Sequence, residues 1–324
     1  MNEILSLLQG NLLTPTILFF LLGLVAAIFR SDLSIPQAAA KVMSIYLLFA
    51  IGYKGGVSIA QSGFSLQLAF TLLLSIIISL AIPFLSYGLL RLMTNLSRLD
   101  AAALSGHYGS ISIVTFVTAI SVLEGLGYSY EGYLIAVAAI MEAPAILSAL
   151  WLASDRKTYN AALLRDIAAN GSIILLLGSF FIGMLTGPDG MEEIGAFITS
   201  PFTGILCLFL LDMGLRAGRN LFSSREHINT GLISFGLLMP LLCSGIGLIA
   251  SLLISLSLGG TFLMMVLCAS ASYIAVPAAM RLALPKANPA IFLTMSLGIT
   301  FPFNIAIGLT LYLFIAQSVH GLLG

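Results

Sequence analysis

Apolar residues fill most of the chain in ten long stretches, which short polar segments separate. Each stretch is close to the ~20 residues with which a helix crosses the ~30 Å hydrocarbon layer of a bilayer. A helix also satisfies its own backbone hydrogen bonds, which lipid cannot do. The pattern therefore predicts an all-α polytopic membrane protein with ten transmembrane helices. The predicted spans are residues 12–29, 34–53, 66–92, 101–123, 131–153, 167–187, 195–215, 228–256, 260–284 and 288–316.

The composition also indicates lipid as the solvent. The chain of 324 residues is 59% hydrophobic and 8% charged, and its mean hydropathy is +1.10. A soluble protein of this length cannot bury so much apolar surface. The formal net charge is zero, so nothing indicates a nucleic-acid partner. The sequence contains no HExxH, P-loop or dinucleotide-binding motif, and its three cysteines form no CxxC or Cys/His cluster. We therefore expect neither an enzyme nor a bound cofactor.

Positive charges are concentrated in alternate loops, which predicts the orientation of the chain in the membrane. Basic loops stay in the cytoplasm, so we expect a bacterial inner-membrane protein with both termini outside the cytoplasm. The opposite loops contain Lys54 together with acidic residues, namely Glu124, Glu131, Asp189, Glu192 and Glu193. The predicted cytoplasmic loops contain Arg30, Arg91, Arg98, Arg156, Lys157, Arg165, Arg216, Arg219, Arg225, Arg281 and Lys286.

The two halves of the chain share landmark residues at offsets of 157 to 165, which indicates an internal repeat. An odd number of spans in each half inverts the second copy in the membrane, and inverted repeats are typical of secondary transporters. We therefore predict a first five-helix repeat at 1–153, a short cytoplasmic loop at 154–166 and an inverted repeat at 167–324. The matched pairs are Gly23 and Gly183, Gly52 and Gly214, Lys54 and Arg216, Gly56 and Gly218, Pro83 and Pro240, Ser105 and Ser270, Tyr108 and Tyr273, and Pro144 and Pro302.

Two related stretches, 104–112 and 269–277, are rich in small and hydroxyl residues and contain helix breakers. One interpretation is that both spans are discontinuous helices that cross near the bilayer midplane, where their half-helix N-termini bind a small anion. The alternative is that small residues simply let helices pack closely. The candidate anion-binding residues are Gly109, Ser110, Ser112, Ser272, Tyr273, Ala275 and Val276.

Glu142 is the main candidate for binding a cation. It lies within an apolar span close to Pro144, which frees a backbone carbonyl. A carboxyl group inside a membrane is energetically costly and usually has a function. Thr115, Thr300 and Asn304 would supply further oxygen ligands. The alternative is a structural carboxyl, protonated or paired with another helix.

Two other polar positions have simpler interpretations. Asp212 lies four residues before Arg216, which favours an i, i+4 ion pair on one helix. His107 is interpreted as a packed, hydrogen-bonded histidine, with pH sensing as the lesser alternative.

Two blocks of sequence, 106–144 and 269–308, carry a family pattern. The pattern comprises Gly109, Ser112, Thr115, Leu123, Glu124, Ser129, Tyr130, Glu131 and Pro144 in the first block, and Ser270, Ser272, Ile274, Pro277, Arg281, Pro285, Ala287, Asn288, Pro289, Ser296, Pro302 and the run 305–308 in the second. On these residues the chain resembles the sodium-dependent bicarbonate transporter family of cyanobacteria.

The resemblance implies ten helices in two inverted repeats, divided into core and gate domains as in sodium/bile-acid symporters, and assembly as a homotrimer. It implies Na⁺-coupled symport of a small anion such as bicarbonate, with H⁺ as the alternative driver. The chain departs from the family pattern at Glu142, at Tyr273 and at residues 113–114 and 275–278. Its central loop is short, which argues against a PII-type regulatory partner. A passive anion channel or a non-transporting membrane scaffold is the second hypothesis.

Overall fold

The computed structural model describes residues 14–63, 65–153, 171–223, 228–273, 276–277, 280, 284 and 286–323. Within these ranges the chain forms helices and no strand. The predicted central loop at 154–166 and the candidate residue Ala275 lie outside them. The helices are α1 (Pro15–Ile28), α2 (Gln37–Ser62), α3 (Leu66–Met93), α4 (Arg98–Gly109), α5 (Ile113–Leu126), α6 (Leu134–Ile140), α7 (Glu142–Ala153), α8 (Gly171–Thr199), α9 (Phe202–Ser223), α10 (Thr230–Leu253) and α11 (Leu258–Ala269).

The last helical region, α12, combines α-helical and π-helical segments. Its parts are Pro289–Leu293, the π-helical Thr294–Thr300, Phe301–Phe303, the π-helical Asn304–Gly308 and Leu309–Leu323. Seven helical regions of the described chain are long and apolar enough to cross a membrane. Two shorter apolar helices, α1 and α11, accompany them. The protein is therefore a multi-pass membrane protein with an all-helical fold.

The predicted end of the second span at residue 53 is wrong, because α2 continues to Ser62. Three glycines near this end do not stop the helix. A Cβ atom on Gly52 or Gly56 would collide with backbone carbonyl oxygens of α8, so these glycines permit close helix packing. Lys54, which we expected in a loop, therefore lies inside α2.

The expected loop between the sixth and seventh spans is also wrong, because it is helical. Gly187 kinks α8 with a positive φ of 58°, and the chain then continues as helix from Pro188 to Thr199. Proline is well suited to the first turn of a helix, and Asp189 close behind it favours the positive end of the helix dipole. In consequence α9 begins at Phe202 rather than at residue 195.

Two pairs of helices pack along much of their length: α1 with α9, and α2 with α8. In the first pair, Gly23 lies against the backbone of Leu211, and Gly218 lies against Ala27. The residue numbers of these two contacts rise together in both helices, so α1 and α9 run in the same direction. The contacts of Gly52 and Gly56 with α8 likewise give α2 and α8 a common direction.

The long helices α3 and α10 pack on each other and lie antiparallel. Gln67 at the start of α3 donates its Nε2–H to the carbonyl of Ile254, just after the end of α10 (3.0 Å). At the other end, Gly231 in the first turn of α10 lies against the carbonyl of Met93. α3 packs on α4, and α10 packs on α11, so each long helix supports one of the helices that lead into the candidate site.

Candidate functional site

Two helices of the described chain are interrupted at the stretches that the sequence singles out. α4 ends at Gly109, and α5 begins at Ile113 after an extended Ser110 (φ −90°, ψ 174°). α11 ends at Ala269 and is followed by an extended Ser270 (φ −85°, ψ 158°). The prediction of discontinuous helices is confirmed at both stretches.

The bounds of α4 and α11 bear on the pairing of these two stretches. The ends of α4 and α11, Gly109 and Ala269, differ by 160 residues, and their N-cap serines, Ser97 and Ser257, do as well. If the two helices are repeats of each other, this spacing favours pairing Ser110 with Ser270, and Ser112 with Ser272, over the offset of 165.

The two interrupted segments lie side by side, and three hydrogen bonds between their described residues join them. The backbone N–H of Ser272 donates to the carbonyl of His107 at 2.8 Å. The Nδ1 atom of His107 lies 2.6 Å from the carbonyl of Ser272. The backbone N–H of Ser112 donates to the hydroxyl of Ser270 at 2.9 Å. We call residues 107–115, together with residues 269–273 and Val276, the crossing.

Local chemistry explains where the first segment breaks. Gly109 lies against the ring of Pro83 and the methyl group of Ala145, so no larger residue fits at the end of α4. The Ser112 hydroxyl then starts α5, because it accepts from the backbone N–H of Thr115 at 3.2 Å. The Thr115 hydroxyl also donates to the Ser112 hydroxyl at 2.9 Å.

In the second segment, too, a serine hydroxyl accepts from a backbone N–H where helical conformation resumes. The Ser272 hydroxyl accepts from the backbone N–H of Val276 at 3.4 Å, and Val276 and Pro277 have helical conformation. Val276 is fully buried. The ring of Tyr273 packs against the ring of Phe301 with centroids 5.1 Å apart.

Three buried polar atoms at the crossing have no hydrogen-bond partner among the described residues. They are the Ser110 hydroxyl, the Tyr273 hydroxyl and the Nε2 atom of His107. The Tyr273 hydroxyl lies beside Ser112 but forms no hydrogen bond of good geometry with it. A buried polar atom without a partner is unfavourable by about 1–3 kcal/mol, and a water molecule or an ion bound beside it would relieve that cost.

Glu142 is the first residue of α7. Gly106 of α4 lies against Ala149 of α7, and Gly109 lies against Ala145, so α4 and α7 run antiparallel. Glu142 comes one helical turn before Ala145, on the part of α7 that extends towards the end of α4 at Gly109. Its side chain is 7% exposed, and it forms no hydrogen bond or ion pair with any described residue.

The other three candidate cation ligands have structural partners. Thr115 bonds to Ser112, as described above. Asn304 donates from Nδ2 to the carbonyl of Ala269 at 2.9 Å and accepts from the Tyr312 hydroxyl at 2.8 Å. No hydrogen bond in the described part of the chain joins Glu142 to Thr115, Thr300 or Asn304.

Thr300 bonds to neighbours on two other helices. Its hydroxyl donates to the carbonyl of Gly236 at 2.9 Å. The Tyr108 hydroxyl, 2.6 Å away, must therefore be the donor to Thr300 Oγ1. Thr300 and Asn304 flank Pro302 between the two π-helical segments of α12, and such irregular turns are frequent at functional sites.

A family model for the Na⁺-dependent bicarbonate transporter superfamily matches residues 15–317. The chain belongs to this superfamily. No curated protein matches the chain at a significant level. Membership makes the protein a membrane transporter and associates it with bicarbonate and sodium-dependent ion transport.

In this superfamily member, a cleft of about 1260 Å³ reaches Tyr273 from the side of α2 and α9. Its lining includes three basic residues, Lys41, Arg216 and Arg219, and one acidic residue, Asp212. The predicted ion pair between Asp212 and Arg216 is confirmed, with Arg216 Nε 2.7 Å from Asp212 Oδ2. Arg219 donates to the carbonyl of Leu33 at 2.6 Å.

The interpretation of His107 as a packed, hydrogen-bonded histidine is confirmed, since Nδ1 is hydrogen-bonded and the ring stacks on Phe292 with centroids 4.7 Å apart. The expectation that Arg216 and Arg219 lie in a loop is wrong, because both lie within α9. Sequence reasoning therefore missed the cleft that these two residues line.

Proposed function

We propose that the protein is a Na⁺-coupled symporter of a small monoanion, with bicarbonate as the substrate. The observation that carries this proposal is the crossing, where two broken helices bond to each other and buried polar atoms lack partners. Membership of the superfamily supports the choice of substrate and driving ion. H⁺ is the alternative driver.

The anion would bind to hydroxyl and backbone donors of the crossing. The hydroxyls of Ser110 and Tyr273 are buried and have no described partner, so each can donate to an anion. The backbone N–H groups of Ile113 and Val114 belong to the first turn of α5, where helices lack internal acceptors. The positive end of the α5 dipole adds to their attraction for a negative charge.

Glu142 would balance the charge of the coupled cation. An unpaired carboxylate in a low-dielectric environment is strongly unfavourable, and a Na⁺ or a proton relieves that cost. A cation at Glu142 would also lie near an anion bound at residues 110–112, and opposite charges attract strongly where water is scarce. Of the other candidate cation ligands, Thr115 is the closest in sequence to residues 110–112, and it is hydrogen-bonded to Ser112.

We further propose that the fold is the predicted ten-helix inverted repeat. Repeat-related residues make equivalent contacts, which supports this architecture. At the start of α11, the Glu131 carboxylate accepts from the Ser257 backbone N–H at 2.7 Å. At the start of α12, Asp100 accepts from the Asn288 backbone N–H at 2.8 Å. Asn288 and Glu131 are 157 residues apart, so they are candidates for equivalent positions in the two repeats. In one contact the first half supplies this position and the second half supplies the start of the interrupted helix, and in the other contact the halves are reversed.

In this arrangement α1, α2, α8 and α9 would form the gate domain, and the other helices would form the core domain. The parallel pairs α1–α9 and α2–α8 are related by the same repeat, since Gly23 and Gly183 make matching contacts with the backbones of Leu211 and Tyr53. The cleft between α2, α9 and Tyr273 would be the path to the cytoplasm. Both termini would face outward, and three copies would form a trimer.

The direct test is uptake of labelled bicarbonate into proteoliposomes that contain the purified protein. We expect saturable uptake that an inward Na⁺ gradient accelerates at least tenfold. Acceleration by a proton gradient instead would identify H⁺ as the driver. Non-saturating flux without any ion gradient would mean a channel, and absence of flux together with absence of bound bicarbonate would mean a scaffold.

A further inference from the structure

The hydrogen bonding of His107 determines which of its two ring nitrogens carries a proton. Nδ1 lies 2.6 Å from the carbonyl oxygen of Ser272, and a carbonyl oxygen can only accept. The proton must therefore be on Nδ1. In the neutral ring, Nε2 is then left with a lone pair and can only accept a hydrogen bond.

The Nε2 atom of His107 is buried without a partner. The side chain is fully buried, and no described residue donates a hydrogen bond to Nε2. The Ser272 bond and the stacking of the ring on Phe292 hold the ring in place. A fixed acceptor within an anion-binding region is unusual, because an acceptor repels the lone pairs of an anion.

The three unpartnered atoms at the crossing differ in hydrogen-bonding character. Ser110 lies one helical turn after His107, and Tyr273 follows the residue to which His107 is bonded. Two of these atoms are hydroxyl oxygens, which can donate to oxygen atoms of a ligand. The third, His107 Nε2, can only accept. A ligand that satisfies all of them must accept from the two hydroxyls and donate one hydrogen bond to Nε2, a combination that a protonated oxyanion offers.

We propose that His107 is a specificity-determining residue that selects a protonated oxyanion. The O–H group of the anion would donate to Nε2, and its other oxygens would accept from Ser110 and Tyr273. Bicarbonate carries such a group, whereas nitrate has the same planar shape and charge without it. The inference rests on the proposed function, because it assumes that the anion binds at the crossing.

The strength of this selection follows from the cost of unmatched polar groups. A site built to bond a substrate hydroxyl rejects an analogue without it by as much as about 10⁴-fold. Nitrate would leave Nε2 without a donor and would place an oxygen lone pair against it. We therefore expect the wild-type protein to prefer bicarbonate over nitrate by at least about 100-fold in uptake efficiency.

The experiment compares labelled bicarbonate and labelled nitrate in proteoliposomes at constant pH, for the wild type and three variants. His107→Asn keeps a donor near the Nδ1 position for Ser272 but removes the acceptor at Nε2. His107→Gln places an amide near the Nε2 position and loses the Ser272 bond. Ser110→Ala is the matched control, because it removes a donor that both anions would use.

His107→Asn should lower the bicarbonate-to-nitrate preference at least tenfold, mainly through slower bicarbonate uptake. His107→Gln should lower it as well, because its amide can turn an N–H towards nitrate. Ser110→Ala should reduce uptake of both anions to a similar extent and leave the ratio within about twofold. An unchanged ratio in whichever histidine variant folds would overturn the proposal.

Binding to the detergent-solubilised protein separates this proposal from the proposed function. Isothermal titration with bicarbonate and with nitrate gives the preference without transport. If the wild type binds bicarbonate more tightly than nitrate and His107→Asn removes that preference, the assignment of His107 holds even if uptake is absent. If the wild type binds neither anion, or binds both equally, the assignment is wrong.

Discussion

Lys54 Nζ lies 3.2 Å from Glu124 Oε1, and this ion pair joins α2 to α5. The same ammonium group lies 4.9 Å from the centre of the Phe202 ring at the start of α9. In the proposed architecture Lys54 belongs to the gate domain and Glu124 to the core domain. The pair therefore connects the two domains at the face opposite the basic cleft.

Breaking this ion pair should shift the equilibrium between transport conformations more than it changes stability. Both side chains are partly exposed, so the pair contributes at most about 1 kcal/mol, which corresponds to about a fivefold change in a conformational equilibrium. Lys54→Gln should therefore change the bicarbonate KM and kcat together by up to about fivefold. The melting temperature of the detergent-solubilised protein should stay within about 2 °C.

The control for this prediction is the exchanged pair, Lys54→Glu combined with Glu124→Lys. Restoration of wild-type kinetics in the double variant, with both single variants impaired, would assign the effect to the pair. Additive losses in the double variant would contradict it.

Glu142→Gln should remove the dependence of bicarbonate uptake on the cation gradient. The amide has nearly the shape of the carboxyl group but no negative charge, so it cannot balance Na⁺ or carry a proton. We expect the variant to fold with equal or higher thermal stability, because the substitution removes the negative charge of a buried side chain that has no described partner. Uptake is measured with and without a Na⁺ gradient, with Glu142→Asp as the control that keeps the charge. Wild-type Na⁺ dependence in Glu142→Gln would exclude Glu142 from coupling.

Tyr273→Phe should lower anion affinity without destabilising the protein. The hydroxyl of Tyr273 is buried and has no hydrogen-bond partner in the described chain, so its removal should be neutral or stabilising by up to about 1 kcal/mol. Loss of one donor to the anion should raise the bicarbonate KM about tenfold. Thermal unfolding and uptake kinetics measure the two effects.

Tyr108→Phe is the matched control, because the Tyr108 hydroxyl is bonded to Thr300 at 2.6 Å. This variant should be destabilised by about 1 kcal/mol and should keep its bicarbonate KM within about twofold. If Tyr273→Phe were instead the destabilised variant, with an unchanged KM, the assignment of its hydroxyl to the anion site would be wrong.

Gly214→Ala should destabilise the contact between α1 and α9. A Cβ atom at this position would collide with the backbone carbonyl of Phe20, so the two helices must move apart. Overpacking of this kind lowers stability by about 1–3 kcal/mol. Gly204→Ala in the same helix has open space around it and should be neutral or slightly stabilising. Equal melting temperatures for the two variants would contradict the close packing of these helices.

Much of the fold could be predicted from hydropathy, because lipid requires long apolar helices. The bounds of α3 and α10 differ from the predicted spans by at most three residues. The errors arise where local signals and tertiary contacts disagree. Gly52 and Gly56 resemble helix breakers in the sequence, but in the structure they let α2 approach α8.

The candidate site could be predicted in outline, since Gly109 and Pro277 indicate breaks in two related helices. Its hydrogen bonds could not be predicted, because they join residues that are far apart in sequence. The bond between His107 and Ser272 spans 165 residues, and no local pattern determines which nitrogen of His107 it uses. Similarly, nothing near Asn304 indicates that its amide bonds to the carbonyl at the end of α11.

An experimental structure of the protein with bicarbonate and Na⁺ would show whether the two interrupted helices meet to form one anion site. We expect density for a planar anion at the crossing, within hydrogen-bond distance of Ser110 and Tyr273, and a cation next to Glu142. Anion density elsewhere, with the crossing unoccupied at saturating bicarbonate, would mean that the interrupted helices do not form the anion site.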